Sequence, residues 1–132
     1  MVKARKIRND SGGSGHYGAR RTRGTYKYKH RGIDYCCKPG EEILSPATGL
    51  IVREAKPYNH GEYTGFVLDT KRCRFKIFYI KLYEGLVGQI VRQGQPIGTA
   101  QDISLKYKDE GVTPHFHIEV VRCDAEILLR AR

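Results

Sequence analysis

Apolar and polar residues alternate along much of this chain with a period of two, the spacing of a half-buried β-strand. From Cys73 to Ile80 the alternation places Cys73, Phe75, Ile77 and Tyr79 on one face and Arg74, Lys76, Phe78 and Ile80 on the other. The apolar run Gly65-Phe66-Val67-Leu68-Asp69 lies just before it, so the two segments read as a hairpin. A first hairpin is expected upstream, where Glu42-Ile43-Leu44-Ser45 and Leu50-Ile51-Val52-Arg53-Glu54 flank the turn residues Pro46-Ala47-Thr48-Gly49. Gly94-Gln95-Pro96-Ile97-Gly98 is a turn leading into a short strand, and His115 to Val121 is the last clear strand. Only Asp124 to Arg130 reads as helix, with Asp124 as its N-cap. Many short strands with Gly and Pro punctuation predict an all-β fold, an antiparallel sheet or small barrel-like sandwich with little helix.

Composition narrows this picture. With 132 residues there is room for one domain, and 39% apolar with 29% charged residues fits a soluble, turn-rich globular chain. No apolar run reaches the ~18 residues of a membrane-spanning helix, so no membrane insertion is expected. No secretory signal is visible after Met1, so the chain is read as mature or intracellular. The net charge of +10 is unevenly spread: residues 1–31 carry ten lysines and arginines against one acid, Asp10. The sequence thus divides into a basic arm containing Gly and Ser, residues 1–29, packed on a nearly neutral β domain, residues 30–132. Arg20, Arg21, Arg23, Lys27, Lys29 and Arg31 are the candidate residues for binding a polyanion such as a glycosaminoglycan. A solvated arm that only aids solubility explains the same charge equally well. No nucleic-acid motif accompanies it, so a nucleic-acid partner is not expected.

Four cysteines in so short a chain favour an oxidising compartment, and Cys36, Cys37, Cys73 and Cys123 allow three pairings between which sequence does not choose. The chemistry lies in the histidines. Side chains at i and i+2 of a strand share a face, so His115, His117 and Glu119 project one way while Phe116, Ile118 and Val120 enter the core. Upstream, His30 and Asp34 are four apart and also share a face if the segment is extended. One histidine, one carboxylate and a second histidine with an open fourth position make a zinc shell. Any one of these residues alone is better read as an ordinary hydrogen-bonded side chain.

Taken in order, His30-Arg31-Gly32-Ile33-Asp34, Pro39-Gly40-Glu41-Glu42-Ile43-Leu44-Ser45-Pro46-Ala47-Thr48-Gly49, Val87 to Gly98 and Thr113-Pro114-His115-Phe116-His117-Ile118-Glu119 resemble the lysostaphin-type zinc endopeptidase domain. The resemblance covers residues 30–121. It implies Zn²⁺ held by His30, Asp34 and His117, with His115 as a catalytic group beside the metal. Enzymes of that family carry a further histidine in a Tyr-x-His-Leu segment, where this chain has Tyr79-Ile80-Lys81-Leu82. A lysine, with a reference pKa near ~10.4, is normally a cation and does not accept a proton. The substituted position, Lys81, therefore points to a catalytically impaired relative.

An animal branch of the family shares this lysine. The resemblance to it, carried by Ile7-Arg8, Gly15-His16-Tyr17, Lys56-Pro57-Tyr58 and Phe78-Tyr79-Ile80-Lys81, extends to nearly the whole chain. It implies a secreted, extracellular signalling or immune protein acting through a cell-surface receptor, and a disulfide between Cys73 and Cys123. Two other readings compete: an active zinc metalloendopeptidase that cuts glycine-rich or peptidoglycan cross-links, and a polyanion-binding structural protein that keeps zinc for stability.

Overall fold

The structure is a computed structural model that describes residues 5–10, 13–23, 26–30 and 32–123. The basic N-terminal stretch, expected to be a loop or arm, pairs into two small antiparallel hairpins. β1 (Asn9–Asp10) pairs with β2 (Gly13–Ser14), and β3 (Arg20–Arg23) pairs with β4 (Tyr26–Lys29). The backbones of Arg21, Arg23, Lys27 and Lys29 thus lie in one hairpin, while Arg31 lies outside the described residues.

The body holds the remaining strands: β5 (Ile33–Cys36), β6 (Glu42–Leu44), β7 (Gly49–Ala55), β8 (Gly65–Asp69) and β9 (Cys73–Phe78). There follow β10 (Ile80–Leu82), β11 (Ile90–Val91), β12 (Pro96–Ala100) and β13 (His115–Cys123). Six of them form one antiparallel sheet in the order β11-β7-β8-β9-β13-β5, and three form another in the order β10-β12-β6. The core lies where these sheets face each other. Ile43, Ile80, Ile97 and Ala100 from the smaller sheet meet Ile51, Phe66, Leu68, Ile77 and Phe116 from the larger one. This is the sandwich that period-two alternation requires, since each strand buries one face.

The hairpin expected at 65–80 forms as β8 against β9. Its second strand, however, ends at Phe78. Tyr79 adopts a left-handed backbone (φ 71°), and the chain leaves the larger sheet there to enter the smaller one as β10. The hairpin expected at 42–54 does not form. β6 pairs with β12 and β7 with β8 and β11, so the segment around Pro46 crosses between sheets. Ser45 exchanges backbone hydrogen bonds with Gly94 and Gln95 at 2.8 Å each, which steers the chain away from its sequence neighbour. Phe116 enters the core and Ile118 packs partly against it, as alternation demands, but Val120, still in register opposite Phe75, is exposed. The helix expected at Asp124 to Arg130 lies outside the described residues. Two short 3-10 turns, Ile103–Leu105 and Lys108–Glu110, occupy a stretch without strand alternation.

A disulfide joins Cys73, at the start of β9, to Cys123, at the end of β13, across their paired register. Cys36 and Cys37 are free thiols, and burial pushes the Cys37 thiol up to about 12.

Candidate metal centre

The face of β13 opposite the core carries His115 and His117. Asp34 on β5 pairs directly with His117 in the sheet register, so a carboxylate and an imidazole are neighbours across two strands. His30 lies just before β5 rather than within it. Its backbone is held by Ala19 and Gly18, whose carbonyl and N–H bond to it at 2.7 and 2.9 Å. Gly32 lets this segment pass close to β13, since a Cβ there would lie 2.3 Å from the carbonyl oxygen of Ile118 and 2.7 Å from the His117 ring.

Three atoms converge: His30 Nε2, His117 Nδ1 and Asp34 Oδ1, separated by 3.1, 2.9 and 3.2 Å. A tetrahedral zinc with ligands at 2.0–2.1 Å has ligand–ligand edges of about 3.3 Å, so this triangle is close to one face of such a shell. Among the described residues it is the group of His, Cys, Asp and Glu able to hold a metal ion.

Each of the three has a partner on its outer side. His30 Nδ1–H donates to the carbonyl of His16 at 3.2 Å, and His117 Nε2–H donates to Glu119 at 3.2 Å. These bonds fix the tautomers that leave Nε2 of His30 and Nδ1 of His117 facing the centre. Arg8 Nε–H donates to the other oxygen of Asp34 at 3.0 Å. His115 sits at the rim, its Nδ1–H donating to the carbonyl of Thr113 at 2.8 Å and its Nε2 3.7 Å from Asp34 Oδ2.

Electrostatics follows from burial and pairing. Burial works against the Asp34 charge, but the facing imidazoles of His117 and His30 prevail and hold its carboxyl well below the usual carboxylate range. Burial also opposes charging His117, yet its bonds to Asp34 and Glu119 raise it to about 9. Burial lowers His115 against the pull of Asp34, so His115 is a neutral imidazole at pH 7.

Tyr79 stands edge-on to His115 with ring centroids 5.6 Å apart. Its hydroxyl bonds Tyr58 at 3.0 Å, and Tyr58 bonds Tyr107 at 2.8 Å. Burial raises Tyr79 to about 12. Tyr58, Tyr63 and Tyr79 pack together, with Tyr79 against His115. Lys81 is exposed on β10 and lines a groove of about 610 Å³ with Glu54, Glu62, Thr64 and Gln101, a lining that does not include His30, Asp34 or His117. Among the polyanion candidates, Arg20 is exposed, and the side chains of Arg21, Arg23, Lys27 and Lys29 lie outside the described residues. Sequence reasoning missed the roles of Arg8 and Asp10. The available signal was that Asp10 is the single acid in a strongly basic stretch.

The model of peptidase family M23 matches residues 28–127, a span that contains His30, Asp34 and His117. The chain belongs to peptidase family M23. Within that family it is a chemotaxin-2-like member: leukocyte cell-derived chemotaxin-2 of Mus musculus is 34% identical over 120 residues, covering 88% of this chain and 72% of the relative. The Bos taurus protein of the same name is 31% identical over 119 residues, covering 87% of this chain and 71% of the relative. In fold, the chain is similar to the catalytic domain of the antimicrobial peptidase lysostaphin from Staphylococcus simulans. That match has a TM-score of 0.52 and 23% identity over 73% of this chain and 71% of the other. The chemotaxin-2-like M23 domain therefore carries a His-Asp-His cluster on the antiparallel scaffold its family shares.

Proposed function

We propose that this M23 domain is an extracellular, zinc-binding signalling or immune protein that lacks peptidase turnover and acts by binding a receptor or polyanion. The observation that carries the reading is the contrast within one site. His30, Asp34 and His117 converge with an outer partner for each, while His115 has Tyr79 beside it and Lys81 occupies a separate groove. His30, Asp34 and His117 would hold the ion. Zinc, when bound, supplies a Lewis acid that polarises carbonyls and activates water. A peptidase needs, besides the ion, groups that accept and return a proton. His115 alone provides a neutral imidazole, because Tyr79 is a phenol whose proton is held by burial, and the family resemblance puts Lys81 where the enzymes carry a further histidine. The similarity to leukocyte cell-derived chemotaxin-2 supports a signalling role. The Cys73–Cys123 disulfide supports an oxidising, extracellular setting.

Metal analysis of protein purified without added zinc tests the site. One zinc per chain is expected, with loss of the metal in His117→Ala. Protein that holds no zinc and gains no thermal stability on its addition would overturn the assignment.

The neutral His115, placed within 3.7 Å of Asp34, favours the second reading, an active zinc endopeptidase, more than any other observation. Turnover decides between the two.

A further inference from the structure

We propose that Arg8 is a positioning residue of the metal centre, committing Asp34 to offer a single oxygen to the ion. The inference rests on the reading of His30, Asp34 and His117 as ligands. Arg8 is 4% exposed and Asp34 3%, so a guanidinium and a carboxylate are buried against each other. A buried charge is costly unless paired, and Arg8 is paired twice. Its Nε–H donates to Asp34 Oδ2 at 3.0 Å, and its Nη1–H donates to Asp10 Oδ1 at 2.8 Å. Asp10 Oδ2 then accepts the backbone N–H of Thr113 at 2.6 Å, and the Thr113 carbonyl accepts the ring N–H of His115 at 2.8 Å. One chain of bonds thus runs from the ligand carboxylate through the N-terminal segment to the histidine at the rim.

The backbone fixes this clamp as firmly as the side chains do. The Arg8 N–H donates to the Asp34 carbonyl at 2.8 Å. Gly15 N–H donates to the Arg8 carbonyl at 2.6 Å, and Asp34 N–H donates to the Gly15 carbonyl at 2.8 Å. A Cβ on Gly15 would lie 2.7 Å from Cβ of Asp34 and 2.8 Å from Cβ of Arg8, so only glycine lets the three strands of chain meet. Arg8, Asp10 and Gly15 all precede residue 28, where the match to the family model begins. The clamp is thus supplied by chain outside the matched domain.

A carboxylate binds a metal through one oxygen or chelates it through both. Here Oδ1 faces the two imidazole nitrogens and Oδ2 is held by Arg8. One oxygen and two imidazoles with an open position make a four-coordinate shell. Without the guanidinium, Oδ2 loses the 3.0 Å bond from Arg8 and keeps the longer approach of His115 Nε2 at 3.7 Å, so it is less firmly held from turning to the metal as a fifth donor.

Cobalt(II) titration of the full chain reads this directly, because four-coordinate cobalt absorbs visible light more strongly than five-coordinate cobalt. In Arg8→Met a clear loss of band intensity per bound cobalt is expected. Arg8→Lys, which keeps a cation on Oδ2, is expected to retain most of it. Arg5→Met, which removes an arginine of the same segment that pairs with Glu41, is expected to leave the band unchanged. Asp10→Asn, which loosens the Arg8 anchor while keeping an acceptor for Thr113, is expected to weaken it in part, and serves if Arg8→Met fails to fold. A wild-type band in Arg8→Met or Asp10→Asn, or an equal loss in Arg5→Met, overturns the proposal while leaving the metal site intact. A wild-type chain that binds neither cobalt nor zinc instead overturns the metal reading on which the proposal stands.

Discussion

A methyl group on Gly32 would sit 2.3 Å from the carbonyl of Ile118, backbone that cannot yield without moving β5 from β13. Gly32→Ala is therefore expected to displace His30 from Asp34 and His117 and to lower zinc affinity at least tenfold, the scale of losing an orienting partner. A zinc competition titration against a chromophoric chelator checks this, and unchanged affinity would show that His30 is not held by this approach. The proton on His117 gives a second residue-level prediction. Its pKa is raised from 6.5 to about 9 in the folded, metal-free chain, so its pairing with Asp34 stabilises the fold fully below pH 6.5. That contribution is lost as pH rises through about 9. At pH 7 zinc must displace this proton, so calorimetry in buffers of different ionisation heat is expected to find close to one proton released per zinc. None released would contradict the pairing. The His-x-His and His-x-x-x-Asp spacings made the clustering of His30, Asp34 and His117 legible in the sequence, because each spacing can be read locally. Arg8 was not legible as their partner, since 26 residues separate it from Asp34 and nothing local shows that the chain folds back.

At the scale of elements, the strands were readable wherever one face is apolar, as in β8, β9 and β13. Their partners were readable only when a tight turn joins them. The segments around Ile43 and Ile51 each alternate correctly, yet β6 and β7 pair with different sheets because Ser45 bonds to the 94–95 turn. Tyr79 escaped for a related reason. Alternation continues through it, while its left-handed backbone moves the next strand into the other sheet. The disulfide ties β9 to β13, the strand that carries His115 and His117. It closes a sequence separation of 50 residues, for which chain entropy gives about 4 kcal/mol of stabilisation. Cys73→Ser with Cys123→Ser is expected to lower the thermal midpoint by well over 5 °C, the direction and scale of a loss of several kcal/mol in a domain of this size. An unchanged midpoint in differential scanning calorimetry would show that strand pairing alone holds the edge.

For the whole molecule, the question is how a +10 chain divides its work between charge and chemistry. The basic stretch runs through β3 and β4 and leads directly into His30, whose backbone is bonded to Gly18 and Ala19 of that stretch. Retention on heparin is expected to fall with salt as counterions are released, and to weaken strongly in the triple variant Arg20→Gln, Arg21→Gln, Arg23→Gln. Equal retention of that variant would place the polyanion surface elsewhere. The proposed function is that of an M23 fold that keeps a metal centre but has lost turnover. It is tested most directly by incubating zinc-loaded protein with oligoglycine beside the His115→Ala variant. No cleavage above that of the variant is predicted, whereas zinc-dependent cleavage abolished by His115→Ala would contradict the account and identify an active endopeptidase.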